Sequence, residues 1–343
     1  MTVPLVAFFN PKGGVGKTSL VYHLAWMYAE LGRSVVAVDL DPQANLTSLF
    51  LDDERLEELR RSAPGRGTIY DAISPLMEGV GDVQTSVGLT MSRRLHLIAG
   101  SLELSSYEEV FSTEWLHCLQ GSERGYRVTT AFWRCIQGVS EATSAEIALV
   151  DLGPHLGAVN RAALIASDYI VVPVAPDPLS LQSLRTLGAA LRQWRDDWNV
   201  RITKRPDLAM PLPIGTMNPV GYVVLQHVIR LDRPVGALHR NMQQIPSVYA
   251  ESVLGLDMAA PDPVTDPSCL GVVKWYCSLM PLSQEARKPV FQLKASDGAI
   301  GSQAKAARDA RRDFETLARR IASASWDRAE PVSGLDPARS PSR

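Results

Sequence analysis

One short segment constrains the fold of this chain more than any other: Asn10-Pro11-Lys12-Gly13-Gly14-Val15-Gly16-Lys17-Thr18-Ser19. It follows an apolar run at 3–10 and precedes leucines that recur at helical spacing after Lys17. A glycine-rich loop between a strand and a helix wraps backbone N–H groups around phosphate oxygens, and the helix N-terminus adds partial positive charge. The segment therefore predicts a strand, a phosphate-binding loop and a helix, in that order.

The residue types in this loop predict a nucleoside triphosphate and its metal ion. Lys17 is expected to pair with the β- and γ-phosphates, and Thr18 to ligate Mg²⁺, as in phosphate loops generally. The strict pattern G-x-x-x-x-G-K-[ST] has glycine where Pro11 stands, and this variant carries a second lysine, Lys12. The residues expected to bind the phosphates are Lys12, Gly13, Gly14, Val15, Gly16, Lys17, Thr18 and Ser19.

Short apolar runs recur along the chain and predict the strands of one sheet. They lie at 3–10, 34–41, 95–100, 146–153, 169–176, 213–218 and 288–293. Most are followed by helix-compatible segments, which is the pattern of β-α-β units with parallel strands. The sequence predicts an α/β fold with a doubly wound, mainly parallel sheet and helices on both faces.

The 343 residues suit about two domains or one large α/β domain with insertions. We expect one phosphate-loop domain over 1–325, with a weakly patterned insertion at about 50–145 and a divergent segment at about 220–285. The polar tail at 326–343 lacks periodicity and is expected to be disordered.

Composition excludes several classes of protein. With 45% hydrophobic residues the chain is not disordered throughout, and a net charge of −2 excludes binding to nucleic acid by bulk charge alone. The N-terminus lacks a basic leader and no run is apolar enough to span a bilayer, so we expect a cytoplasmic protein without membrane contact. The four cysteines have no metal-binding spacing and are expected to be free thiols: Cys118, Cys135, Cys269 and Cys277.

Acidic residues end two of the predicted strands. Asp39 and Asp41 follow the run at 34–41, and Asp151 ends the apolar part of the run at 146–153. A carboxylate beside the γ-phosphate can orient an attacking water, and Asp41 is expected in that role. Asp39 and Asp151 are expected to support hydrated Mg²⁺, which binds few carboxylates directly.

The loop resembles the K-G-G-x-G-K-[ST] mark of the ParA/MinD family of deviant Walker ATPases, and the chain is most similar to its ParA-type members. Asp39-Leu40-Asp41-Pro42-Gln43-Ala44-Asn45 resembles the family motif D-x-D-P-Q-x-N. Asp151-Leu152-Gly153-Pro154 is similar to its D-x-P-P turn, with Gly153 in place of the first proline. The resemblance extends from about residue 3 to about residue 320 and is weak over 50–94 and 105–145.

The resemblance implies a function. In this family Lys12 would reach the phosphates of a second copy in an ATP-bound sandwich dimer, so that Lys12, Lys17 and Asp41 form the catalytic set. Turnover would be slow until a ParB-like partner stimulates it, and the role would be plasmid or chromosome partition. Asn218 lies where the family places adenine contacts, although an asparagine before Pro219 suits a turn equally well.

The segment 302–324 predicts an amphipathic helix with one basic face. Between Ala286 and Arg320, nine Lys or Arg stand against four Asp or Glu. The resemblance implies DNA binding without sequence preference through late basic residues, but a solvated surface accounts for such a face as well. The candidate DNA contacts are Lys294, Lys305, Arg308, Arg311, Arg312, Arg319 and Arg320.

Two related functions do not suit these residues. The tail is not the apolar-and-basic helix of a MinD-like membrane-positioning ATPase, and the cysteine spacing does not suit an iron–sulfur reductase. The alternative that stays open is an orphan ParA-like switch that serves protein positioning or phage defence without binding DNA.

Overall fold

The computed structural model describes residues 2–61, 67–84, 88–226, 235–257, 265–274, 276 and 278–327. Strands in these ranges form one sheet and are β1 (Leu5–Phe8), β2 (Val35–Asp39), β3 (Leu89–Ser92), β4 (Leu95–Ile98), β5 (Ile147–Asp151), β6 (Tyr169–Val174), β7 (Asn218–Gln226) and β8 (Cys269–Lys274). Their order is β3-β4-β2-β5-β1-β6-β7-β8, and only the β3–β4 pair is antiparallel. The predicted doubly wound, mainly parallel sheet is confirmed.

Helices cover both faces of the sheet. They are α1 (Lys17–Glu30), α2 (Asn45–Phe50), α3 (Asp53–Arg61), α4 (Ile69–Met77), α5 (Glu108–His117), α6 (Glu123–Thr129), α7 (Ala131–Ala142), α8 (Ala158–Ile165), α9 (Pro178–Thr203), α10 (Val235–Val248), α11 (Met280–Ala286) and α12 (Ser302–Ala324). Helices α4 to α10 pack on one face, and α1, α2 and α12 pack on the other. The predicted helix at 302–324 is confirmed as α12.

Strand β1 lies in the middle of the sheet and is fully buried. Because successive side chains of a strand point to opposite faces, Leu5 and Ala7 enter one core while Val6 and Phe8 enter the other. This explains why the strand has a continuous apolar sequence rather than an alternating one. The phosphate loop therefore starts from a strand that is held on both sides.

The prediction of a strand at 213–218 is wrong, because β7 begins only at Asn218. Several carbonyls of the preceding segment accept hydrogen bonds from side chains. Trp198 Nε1 donates to the carbonyl of Pro213 at 3.1 Å, and Arg195 donates to the carbonyls of Thr216 and Met217 at 2.9 and 2.8 Å. The carboxyl end of this strand is therefore Gln226.

The prediction of a strand at 288–293 is also wrong. Val290–Gln292 forms a single 3₁₀ turn, whose backbone is held by a side chain of another element. The N–H of Val290 donates to Nε2 of His23 at 3.2 Å, while Val290 and Phe291 are buried between α1 and α12. The segment is apolar because it fills this core, not because it joins the sheet.

The region expected as an insertion contributes to the core. Helices α4 to α7 and strand β4 supply many buried side chains between residues 69 and 142. Of the predicted disordered tail, residues 328–343 lie outside the described residues, as does Cys277. The other three cysteines are free and buried. Within the described part of the chain, no helix has both the length and the apolarity that a bilayer crossing requires.

Candidate active site

The loop that follows β1 is anchored by a buried asparagine. Asn10 donates from Nδ2 to the carbonyl of Pro173 at 2.7 Å, and its Oδ1 accepts a hydrogen bond from the N–H of Lys12 at 2.9 Å. These two bonds join the start of the loop to the end of β6. Asn10 was not among the predicted site residues, and the sequence signal for it is a polar residue at the end of an apolar run, directly before the glycine-rich loop.

The glycines give this loop a backbone that other residues adopt with strain. Gly14 has φ +71° and Gly16 has φ +89°, both in the left-handed region. The side chain of Val15 between them is buried. Helix α1 begins at Lys17 without a side-chain cap, so its first N–H groups are free to bind an anion.

Lys17 lies buried under this loop, with 6% of its surface exposed. Its Nζ donates to the carbonyls of Asn10 and Lys12 at 3.1 and 3.3 Å. Burial lowers the pKa of Lys17, and the nearby carboxylates of Asp151 and Asp41 partly oppose that change. The ammonium is thus prepositioned at the loop and lacks the water that a surface lysine has.

The side chain of Lys12, unlike that of Lys17, points to Asp177 at the start of α9. Its Nζ is paired with the carboxylate of Asp177 and lies 3.2 Å from Oγ of Ser180. Asp177 also caps α9 by accepting a hydrogen bond from the N–H of Ser180 at 3.0 Å. The sequence shows Asp177 before Pro178, a common start of a helix, but nothing local links it to Lys12.

Asp39 and Asp151 lie side by side at the carboxyl ends of β2 and β5, where they are register partners. Both are fully buried. Asp39 Oδ2 accepts hydrogen bonds from the N–H and the hydroxyl of Thr47 at 2.8 and 2.7 Å. Burial raises the pKa of Asp39 to about 7 even though Thr47 stabilises the ionised form.

Within the described part of the chain, Asp151 lacks hydrogen bonds like those that Thr47 gives to Asp39. Among the described residues, neither of its carboxylate oxygens has a hydrogen-bond partner. Burial raises the pKa of Asp151 well above its ordinary value and the charge of Asp39 raises it further, while Thr18 and Lys17 act in the opposite direction. A buried carboxylate without a donor is unstable unless a cation or ordered water meets it.

This arrangement fits a hydrated Mg²⁺. No group of three acidic, histidine or cysteine side chains is placed to chelate a metal ion within the part of the chain that the structure describes. Mg²⁺ needs no such cage, because it keeps several waters and takes phosphate oxygens beside one or two protein ligands. The Thr18 hydroxyl and the orphaned Asp151 supply oxygens of that kind.

The loop opens onto a cavity of about 710 Å³, a size that suits a small-molecule ligand. Asp41 lines it and accepts a hydrogen bond on Oδ1 from the N–H of Gln43 at 3.0 Å. A Cβ at Gly153 would lie 3.0 Å from the same oxygen, so the missing side chain leaves room for the carboxylate. The cavity is lined by Gly13, Gly14, Gly16, Lys17, Thr18, Ser19, Asp41, Gln43, Asn45, Ser48, Leu49, Pro154, Met280, Gln284 and Arg287.

Asn218 does not belong to this cavity. It begins β7 opposite Tyr169, the first residue of β6, and lines a separate cavity with Asp168 and Arg195. The phosphate loop follows the carboxyl end of β1, whereas Asn218 lies at the amino end of a parallel strand. The expected adenine contact is therefore corrected: Asn218 is at the opposite edge of the sheet because the strand starts where it was predicted to end.

The basic residues of the C-terminal region are exposed. In α12, the buried side chains of Ala307, Phe314 and Ile321 lie on the face opposite to them. Three of the arginines are in ion pairs: Arg311 with Glu30, Arg312 with Asp309 and Arg319 with Glu315. Among the described residues, Lys305, Arg308 and Arg320 have no ion pair, so this face carries unbalanced positive charge.

The chain is also similar in sequence to known proteins. The model of a family described as AAA domain matches residues 3–204. The chain is 34% identical over 182 residues to a putative replication protein A of Rhizobium rhizogenes, which covers 52% of this chain and 42% of that protein. It is 27% identical over 198 residues to the chromosome partitioning protein ParA of Caulobacter vibrioides, covering 58% and 66%. The chain thus spans less than two thirds of either relative.

A solved structure shares the fold over nearly the whole chain. Protein DIP2308 from Corynebacterium diphtheriae superposes with a TM-score of 0.67, covering 94% of this chain and 98% of that one. The two sequences are 21% identical, so the likeness concerns the fold alone. It includes the regions beyond residue 204 that the family model leaves unmatched.

Proposed function

Because the chain belongs to the AAA domain family and is a P-loop ATPase of ParA type, we propose that it binds ATP with Mg²⁺, dimerises as a nucleotide sandwich and hydrolyses ATP slowly to drive plasmid or chromosome partition. One observation carries the proposal: Asp151, a fully buried carboxylate without a hydrogen-bond partner among the described residues, stands close to Lys17 at the glycine-rich loop. A metal ion that arrives with a nucleotide would stabilise this carboxylate.

The loop and the start of α1 would hold the triphosphate. Lys17 lines the cavity, and its ammonium and the uncapped N–H groups of α1 would offer positive charge and donors to phosphate oxygens. Thr18 would ligate Mg²⁺, while Asp39 and Asp151 hold its waters. Bound Mg²⁺ supplies charge neutralisation for the phosphates.

Asp41 would orient the attacking water. Its Oδ1 is held by the N–H of Gln43, and the carboxylate borders the cavity beside Lys17. Such positioning, with charge stabilisation, is most of what phosphoryl transfer to water asks of a protein. Turnover is expected to be slow until a ParB-like partner acts.

Lys12 would serve the dimer rather than its own nucleotide. Its side chain is 23% exposed, and its ammonium points to Asp177 instead of into the cavity. We propose that the ammonium exchanges this partner for phosphate oxygens of a second copy. Exposed Gly13 and Gly14 lie beside it, so a second copy has access to this face.

DNA binding would use Lys294 and the basic face of α12. Its cations are exposed and three of them have no ion pair within the described part of the chain, which suits contacts to phosphates without reading of sequence. We propose that Lys294, Lys305, Arg308, Arg311, Arg312, Arg319 and Arg320 make those contacts in the ATP-bound dimer. The protein would then be cytoplasmic and associated with the nucleoid.

The test is a mobility-shift experiment with non-specific duplex DNA and the Asp41→Ala variant, in ATP, ADP or no nucleotide, over a salt series. Binding that needs ATP and weakens as salt rises is the expected result. An ATP-dependent dimer in light scattering without DNA binding in any state would instead support a switch for protein positioning or phage defence. Absence of any nucleotide-dependent dimer would overturn the proposal.

A further inference from the structure

The turn that follows β5 carries a histidine close to Asp41. His155 is exposed and comes directly after Pro154, which lines the cavity at the phosphate loop. Gly153, on the other side of Pro154, is buried. A Cβ on Gly153 would lie 3.0 Å from Oδ1 of Asp41 and 3.5 Å from Cδ2 of His155. The imidazole and the carboxylate therefore approach each other across the place where this glycine has no side chain.

A buried asparagine holds this turn in one conformation. Asn160, in the first turn of α8, is 3% exposed, and its Nδ2 donates to the carbonyls of Gly153 and His155 at 2.8 and 2.6 Å. The two bonds fix the backbone on both sides of Pro154, whose ring restricts it further. The position of His155 is thus set by the fold, while its imidazole has no hydrogen-bond or ion-pair partner among the described residues.

The carboxylate of Asp41 is held on one oxygen. Its Oδ1 accepts the N–H of Gln43 at 3.0 Å, and within the described part of the chain its Oδ2 has no hydrogen-bond partner. One bond restricts the terminal torsion of an aspartate only weakly, because that torsion has a broad range. A group that orients an attacking water must be held more closely, since a displacement of about 1 Å can lower the rate about 100-fold. A second donor would provide this restraint.

The lysines of the phosphate loop do not act as that donor in a single copy of the chain. The ammonium of Lys17 donates to the carbonyls of Asn10 and Lys12, and the ammonium of Lys12 is paired with Asp177. The imidazole of a histidine carries an N–H in its neutral form and two in its charged form, so either form can donate to a carboxylate.

We propose that His155 is a positioning residue for Asp41: in the ATP-bound site its imidazole donates to Oδ2 and holds the carboxylate toward the attacking water. The inference rests on the proposed hydrolysis of ATP and on the role of Asp41 in it. The change it needs is a rotation of one exposed side chain, which is a fast motion, while Asn160 keeps the turn in place. Because the imidazole acts through Asp41, it should affect the rate of hydrolysis and not the binding of ATP.

The first experiment separates rate from binding. Phosphate release gives kcat and KM for the unchanged chain, His155→Ala, His155→Gln and the matched control His117→Ala, and calorimetry gives ATP binding. Loss of one hydrogen bond to a carboxylate should lower kcat roughly tenfold in His155→Ala and leave KM and ATP binding unchanged. His155→Gln keeps an N–H donor and should retain most of the rate. His117 lies on α5 away from the cavity, so its replacement should leave kcat unchanged.

The second experiment tests the contact itself. Gly153 is not in the left-handed region, so Gly153→Ala fits the backbone, but its methyl group would come between the imidazole and the carboxylate. If the two side chains act together across this place, His155→Ala should lower kcat by only about twofold or less when Gly153→Ala is already present. The same tenfold loss in both backgrounds would overturn the inference.

Three further outcomes of the first experiment would also overturn it. They are an unchanged kcat in His155→Ala, equal losses in His155→Ala and His155→Gln, and a raised KM at unchanged kcat, which would place the imidazole at the nucleotide instead. Absence of ATP hydrolysis by the unchanged chain would overturn the proposed function and this inference with it. Hydrolysis that does not respond to His155 would overturn the inference alone, so the two failures are distinguishable.

Discussion

The ammonium of Lys12 is paired with the carboxylate of Asp177, within one chain. The two residues are 165 positions apart, and the pair connects the phosphate loop to the first turn of α9. Hydrogen bonds from Lys12 and Ser180 lower the pKa of Asp177, although burial acts against them. In a single copy of the chain, Lys12, which is expected to reach the phosphates of a second copy, is therefore already paired with Asp177.

Asp177→Asn should favour the ATP-bound dimer. Asparagine caps a helix as well as aspartate does, so the fold should lose less than about 1 kcal/mol while the ion pair is removed. Lys12 would then be released at no electrostatic cost, and dimers should form at lower ATP concentration in light scattering. Ser180→Ala is the control that leaves the ion pair intact. Equal dimer fractions for Asp177→Asn and the unchanged chain would contradict this prediction.

Lys17→Ala should abolish nucleotide binding. The ammonium is buried under the loop, where it donates to the carbonyl of Asn10, and its removal takes away the positive charge that lies closest to the loop backbone. Titration with a fluorescent ATP analogue measures the effect, with circular dichroism to verify the fold. If the variant binds ATP as tightly as the unchanged chain, the assignment of the phosphate loop is wrong.

Asp41→Ala should bind ATP but lose hydrolysis by at least about 100-fold, because the attacking water is no longer oriented. Phosphate release under saturating ATP gives the rate, and light scattering should show a dimer that persists. Gln43→Ala is a matched control, since the backbone N–H that holds Asp41 is retained in it. Normal turnover in Asp41→Ala would assign the water-orienting role to another group.

Neutralising Arg308, Arg311 and Arg312 together should weaken DNA binding and flatten its salt dependence, because each lost phosphate contact reduces the slope. The control is the triple variant of Arg185, Lys204 and Arg205, which are exposed on α9 or at its end. Mobility shifts over a salt series compare the two. If the α12 variant keeps its DNA affinity and its salt dependence, this helix does not bind DNA.

His23 should make the fold sensitive to acid. It is 1% exposed, accepts a hydrogen bond from Val290 N–H on Nε2 and stacks on Phe314 at 4.9 Å. Burial lowers the pKa of His23 to about 4, so between about pH 6.5 and 4 the unfolded chain binds a proton that the folded chain does not.

Stability is therefore full above pH 6.5 and is lost as pH falls through this window, by about 3 kcal/mol from His23 alone. Urea unfolding at several pH values, with His23→Gln for comparison, measures this contribution. The variant should be less stable near neutral pH and show a shallower decline toward acid. Parallel pH profiles for the two proteins would exclude His23 as the source.

Much of the fold follows from local signals. The β1 run, the glycines before Lys17 and the acidic ends of the strands are short-range patterns, and the structure places them at one edge of one sheet. The apolar spacing in 302–324 likewise gave the bounds of α12. The predictions of strands at 213–218 and 288–293 are wrong because side chains bond to the backbone there, as at Pro213 and Val290.

The sequence by itself determined the phosphate loop, the parallel sheet and the carboxylates that accompany them, because spacing and residue type act over a few residues. Only the tertiary structure decided the partner of Lys12, the edge on which Asn218 lies and the approach of Arg287 to α2. The contact of Lys12 joins residues 165 positions apart and that of Arg287 joins residues 239 positions apart, while the place of Asn218 depends on its pairing with Tyr169 of the neighbouring strand. No local periodicity carries that information.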